Sequence, residues 1–73
     1  MKVNELKAAR IRCGLTQKAL AKKLGMCEAN YNGKENGKTS ISVDDINKLA
    51  DVLNLSTVDI INIFFDGGVK KLA

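Results

Sequence analysis

The sequence predicts an all-α protein, a compact bundle of five short helices, and three observations carry that reading. Apolar residues recur three and four apart in successive segments, as one face of a helix requires. Cap-forming residues precede these segments and glycine or asparagine follows them, as with Thr16 and Gly25 or Ser42 and Asn54. No segment shows the alternation of branched or aromatic residues that marks a strand.

The first helix is expected from an Asn4 cap to about Cys13, with Leu6, Ala9 and Cys13 or Arg10 along one side and Gly14 at its exit. Lys7 and Arg12 point outward. Thr16 caps the second helix, where Leu20, Ala21 and Leu24 share a face, and Gly25 supplies a left-handed exit. Met26 turns inward. A third helix runs from Glu28 toward Glu35 until Gly37 ends it, with Cys27 in the cap position and Tyr31 as its main apolar anchor. Two helices crossing steeply through so tight a turn should leave no room for a side chain at Ala21 or Gly25.

By intrinsic preference the third helix is poor, because Asn30, Asn32, Gly33 and Asn36 favour turns and an interior glycine costs about 0.5 to 1 kcal/mol relative to alanine. Asn32-Gly33 and Asn36-Gly37 have the composition of hairpin turns, but their flanks lack strand character, so the helix is preferred. Ser42-Val-Asp-Asp then resembles a capping box that opens a fourth helix. Val43, Ile46, Leu49, Ala50 and Leu53 form its expected apolar stripe, and Asn54 its stop. Ser56-Thr-Val-Asp repeats the same start chemistry for a fifth helix, expected to turn Val58, Ile61 and Phe64 inward. Asp66-Gly67-Gly68 closes it and leaves a short basic tail.

Gly-Leu-Thr-Gln at 14 to 17, Leu20-Ala21, Leu24-Gly25-Met26, Tyr31, Glu35, Gly37-Lys38 and Leu49-Ala50 together resemble the helix-turn-helix domain of the lambdoid phage repressor and Cro proteins, the Xre family. The resemblance covers a core of roughly residues 4–65, with a tail at 66–73, and implies one domain across the chain. It implies a lambda-repressor-like bundle whose second and third helices form the motif. The second of these, at about 28–35, would enter the major groove while the first lies across the backbone. The function implied is that of a sequence-specific double-stranded DNA-binding transcriptional regulator of the repressor type, as in phages or mobile elements.

Site residues follow from helical direction and from that resemblance. Base reading is expected of Glu28, Ala29 and Asn32, with Gly33 beside them: Asn32 could pair with adenine, Glu28 accept from cytosine and Ala29 touch a thymine methyl. At the entrance to the second helix, backbone amides and Gln17 are expected to face a phosphate, where the partial positive charge favours an anion. Asn36 and Lys38 resemble the family's phosphate clamps, with Lys18, Cys27 and Thr39 nearby. The resemblance pairs Arg10 with Glu35 in a partly buried ion pair; two unrelated surface charges are the alternative. Ile60, Ile63 and Phe65 exceed what one inward stripe needs and form a candidate dimer patch. A two-fold pair on a palindromic operator would place the reading helices about 34 Å apart, while the free dimer would be weak.

Composition limits the other possibilities. A chain of 73 residues buries only about 60% of its unfolded surface, so its core is thin. The net charge of +4 is unevenly spread, with seven basic and one acidic residue in 1–26 against five and seven in 27–73. That asymmetry suits a polyanion, although a charge run is also what a solvated helix face looks like. With no histidine and two cysteines, no zinc site is expected, nor any other metal or cofactor. No nucleophile, base and orienting group assemble at any spacing, so an enzyme is not expected. No apolar run reaches a membrane span and no export signal stands at the start, which places the chain in the cytoplasm. Cys27, at a helix start, is read either as ordinary packing or as a thiol open to oxidation.

Three residues depart from the family pattern. Lys34 stands where a large apolar residue is usual, so its stem must cover Tyr31 or the third helix will be loose without DNA. Glu28 brings a carboxylate toward phosphates, and Gly33 offers no reading group. These departures leave a second function class, a helix-turn-helix-fold protein-interaction module with little specific DNA binding.

Overall fold

The computed structural model describes residues 1–65, and the expected tail at 66–73 lies outside them. The described chain is five helices with no strand: α1 (Val3–Arg12), α2 (Gln17–Leu24), α3 (Glu28–Glu35), α4 (Val43–Val52) and α5 (Thr57–Phe64). α2 packs on α3 and α4, α1 on α3 and α5, and α4 on α5. Leu6, Ala9, Leu20, Ala21, Leu24, Tyr31, Leu49, Leu53 and Ile63 meet in one buried cluster. Leu15, Met26, Ile41 and Phe64 close its edges.

Local chemistry sets most boundaries. Thr16 Oγ1 accepts from the Ala19 amide at 3.0 Å and starts α2. Gly25 ends it at φ +74°, and the Met26 amide reaches back to the Ala21 carbonyl at 3.0 Å. A Cβ on Gly25 would meet nothing within 4 Å, so the glycine answers to its left-handed backbone and not to crowding. Ala21, by contrast, is 1% exposed and permits the close approach of α3. Reciprocal capping boxes join Ser42 to Asp45 and Ser56 to Asp59, each bond at 3.1 Å, and open α4 and α5.

The start of α1 departs from expectation. Lys2, not Asn4, holds the cap position, and no side chain caps it. A tertiary bond fixes it instead, from the Lys2 amide to the Ile63 carbonyl at 2.8 Å, which ties α1 to α5. Cys13 is exposed, and its thiol donates to the Leu53 carbonyl at 3.5 Å.

Two apolar stripes are also corrected. Val43 is 72% exposed, because the first residue of α4 stands before the helix reaches the core; the rest of its stripe is as expected, with Leu49 and Leu53 buried and Ile46 and Ala50 half-buried. In α5 the inward residues are Ile63, with Ile60 and Phe64 half-buried, while Val58 and Ile61 are 64% and 39% exposed. Ile63, at 3% exposure, therefore belongs to the core and not to an outward patch. Apolar residues on several sides of α5 leave more than one candidate inward face, and the one buried is at Ile63, whose carbonyl accepts from the Lys2 amide.

Candidate nucleic-acid interface

α3 turns Tyr31 and Glu35 inward, each 1% exposed, and leaves Glu28, Ala29 and Asn30 on the surface, with Asn32, Gly33 and Lys34 half-buried. With about 100° per residue, Gly33 and Ala29 lie opposite Tyr31, and Asn30 and Asn32 flank them. Asn30 was not singled out from sequence, although the same count places it beside Ala29.

The floor of this face is a buried polar cluster centred on Glu35. Arg10 Nε donates to Glu35 Oε1 at 2.7 Å and the Tyr31 hydroxyl donates to the same oxygen at 2.9 Å. Gln17 Nε2 donates to Oε2 at 2.6 Å, with a longer approach from an Arg10 terminal nitrogen at 3.5 Å. Arg10 also donates to the Leu15 carbonyl at 2.7 Å, so it joins α1, the α1–α2 turn and α3. Burial alone would push the Glu35 carboxyl up, but the bonds from Arg10, Gln17 and Tyr31 outweigh it and hold the carboxyl below its usual range. The Tyr31 hydroxyl moves the other way, raised by burial and by its bond to the Glu35 carboxylate.

This cluster also engages the Gln17 side chain, expected to face outward. It turns inward to Glu35 and accepts from Asn32 Nδ2 at 2.9 Å, so both ends of its amide are bonded within the protein. A buried carboxylate with a spare lone pair outcompetes solvent for the amide. The backbone amides of Gln17 and Lys18 remain without acceptors among the described residues, at the positive end of α2. Cys27, exposed in the cap position of α3, makes no side-chain capping bond.

The 36–39 loop is fastened to the same helix. Gly37 turns the chain at φ +78°, and the amides of Lys38 and Thr39 donate to the Gly33 carbonyl at 2.9 and 3.2 Å. A Cβ on Gly33 would stand 3.3 Å from Thr39 Oγ1, so glycine at 33 lets this loop lie close. Lys18, Asn36, Lys38 and Thr39 are exposed, on the two segments attached to Asn32 and Gly33. Lys34 is not among the exposed cations. Its Nζ donates to Asp45 Oδ2 at 2.8 Å and to the Ser40 carbonyl at 3.1 Å, joining α3 to the α4 capping box. The bond from Lys34, more than the Ser42 bonds, keeps the Asp45 carboxyl low.

A small helical unit whose second helix of a tight pair stands exposed, backed by the first and flanked by free donors, is a helix-turn-helix module. The helix-turn-helix family model matches residues 6–60, and the chain belongs to that family, the Cro/C1 or Xre type, a family of DNA-binding regulatory domains that is not typically enzymatic. No curated protein and no solved structure matches it significantly. No helix among the described residues is long and apolar enough to cross a membrane, and no three metal-ligating side chains cluster there.

Proposed function

We propose that this chain, as a single domain, is a sequence-specific double-stranded DNA-binding transcriptional regulator of the repressor type, acting in the cytoplasm with α3 in the major groove. One observation carries the reading: the outer face of α3, with Glu28, Ala29, Asn32 and Gly33, is joined to two donor-bearing segments. Asn32 is bonded to the start of α2, where the Gln17 and Lys18 amides have no acceptor among the described residues, and Gly33 to the loop that carries Asn36, Lys38 and Thr39. Such donors hold a duplex through its phosphates, while the helix they adjoin meets base edges. Pairing of two copies on a palindromic operator would use the outward side of α5, where Val58, Ile61 and Phe65 are exposed.

A salt-titrated mobility shift on random duplex tests the class. A steep, linear fall of log affinity with log salt is expected from phosphate neutralisation. Binding that ignores salt, or none, would favour the protein-interaction module. A palindrome recovered from a random pool, with half-sites one duplex turn apart, supports dimeric reading, and ultracentrifugation at micromolar concentration reads the free oligomeric state.

A further inference from the structure

Asn32 lies on the flank of α3 that faces the start of α2, and its side-chain amide is bonded at one end only. Nδ2 donates to Gln17 Oε1 at 2.9 Å. Among the described residues Oδ1 accepts no hydrogen bond and no buried side-chain oxygen or nitrogen lacks a partner, so the half-buried Asn32 leaves that oxygen in reach of solvent.

This orientation is imposed from beneath. The ionised Glu35 only accepts, so Gln17 must turn its amino group to it, which it does at 2.6 Å. What Gln17 then offers Asn32 is its carbonyl oxygen, and a carbonyl there draws Nδ2 and turns Oδ1 away. Arg10 and Tyr31 fix the carboxylate at the base of the chain. Donation thus runs one way, from Asn32 to Gln17 to Glu35.

We propose that Gln17 is a positioning residue that sets which base Asn32 reads, and that this base is adenine. The proposal rests on α3 entering the major groove. With one N–H held by Gln17, the free edge of Asn32 carries an acceptor and a single donor. Adenine presents the complement, an N6 amino group beside the N7 acceptor. Guanine presents two acceptors, N7 and O6, which need two donors. Cytosine satisfies Oδ1 through its N4 amino group but leaves the Asn32 N–H unpaired, and thymine accepts that N–H at O4 but offers Oδ1 no donor. An asparagine free to rotate could turn both N–H groups to guanine; the bond to Gln17 removes that option. Gln17 need not touch DNA through its side chain for this.

Selection from a random duplex pool, with the full chain and its Gln17→Met and Asn32→Ala variants, each first shown to melt cooperatively, tests it. The wild type should enrich adenine at one half-site position, and Asn32→Ala should lose that enrichment. Gln17→Met should lower the adenine-to-guanine ratio about 10-fold at the same position, while the other positions keep their preferences. An unchanged ratio in Gln17→Met, or equal relaxation at every position, would overturn the assignment. A motif that ignores Asn32→Ala would overturn it too and leave the regulator reading standing. No motif, with salt-independent binding, would overturn both. If Gln17→Met does not fold, Gln17→Asn serves, since its amide is one methylene too short to bridge Glu35 and Asn32.

Discussion

Replacing Arg10 by methionine removes the only cation among the described residues in contact with a carboxylate that is 1% exposed. Breaking a buried pair by deleting one partner costs about 3 to 5 kcal/mol, because the remaining charge is left uncompensated. Here Gln17 and Tyr31 still donate to Glu35, at 2.6 and 2.9 Å, which puts the loss at the lower end, about 3 kcal/mol. A domain of 73 residues has roughly 4 to 11 kcal/mol in all, so much of its stability goes. At about 4 to 8 °C per kcal/mol, Tm should fall by about 12 to 24 °C, read by circular dichroism. The pH dependence supplies a second readout. In the wild type the Glu35 carboxyl is depressed, so its contribution is complete above the unfolded value of about 4.3 and is lost as pH falls through the lower folded value. In Arg10→Met the carboxyl loses the contact that lowers it most and titrates above its wild-type value, so the deficit is largest at neutral pH and shrinks as acid neutralises the carboxyl. The gap in Tm between the two proteins should therefore narrow from pH 7 toward pH ~4. A Tm within a degree or two of wild type, or a gap that widens in acid, would refute the reasoning.

Three further outcomes are expected. Gly25→Ala places a side chain at φ +74° in open space and should cost about 1 to 2 kcal/mol from backbone conformation alone, read in the same melts, with Gly25→Asn milder. Asp45→Ala should destabilise more than Ser42→Ala, for which about 1 kcal/mol is expected, because Asp45 holds Lys34 as well as the Ser42 amide; urea midpoints separate the two. Lys38→Ala should weaken binding to all duplexes alike and reduce the slope of log affinity against log salt by about 1, measured on random and selected DNA.

Much of the fold was legible because it rests on local chemistry. The caps at Thr16, Ser42 and Ser56 and the left-handed glycines at 25 and 37 need only near neighbours, and the structure has them. The start of α1 was not, since the Lys2 amide is fixed by Ile63, some sixty residues away. Nor was the rotation of α5, where an apolar residue is available for almost any face. At the candidate site, the exposure of Ala29 followed from counting around Tyr31, whereas Glu28, on the Tyr31 side by the same count, is exposed because it is the first residue of the helix. The inward turn of Gln17 did not, because it depends on a lone pair of Glu35 that Arg10 and Tyr31 leave open. The partnership of Lys34 with Asp45 crosses a loop, and neither residue carries a signal for the other.

The convergence of three side chains on Glu35 bears on how α3 comes apart. Its asparagines and glycine give this helix little reason to persist alone, yet its last turn is gripped from α1 and α2 at once. Fraying there requires breaking the whole cluster, so amide exchange along α3 should track unfolding of the entire molecule. A duplex would then meet a helix already formed, and the entropy of ordering it would be spent in folding, before any encounter.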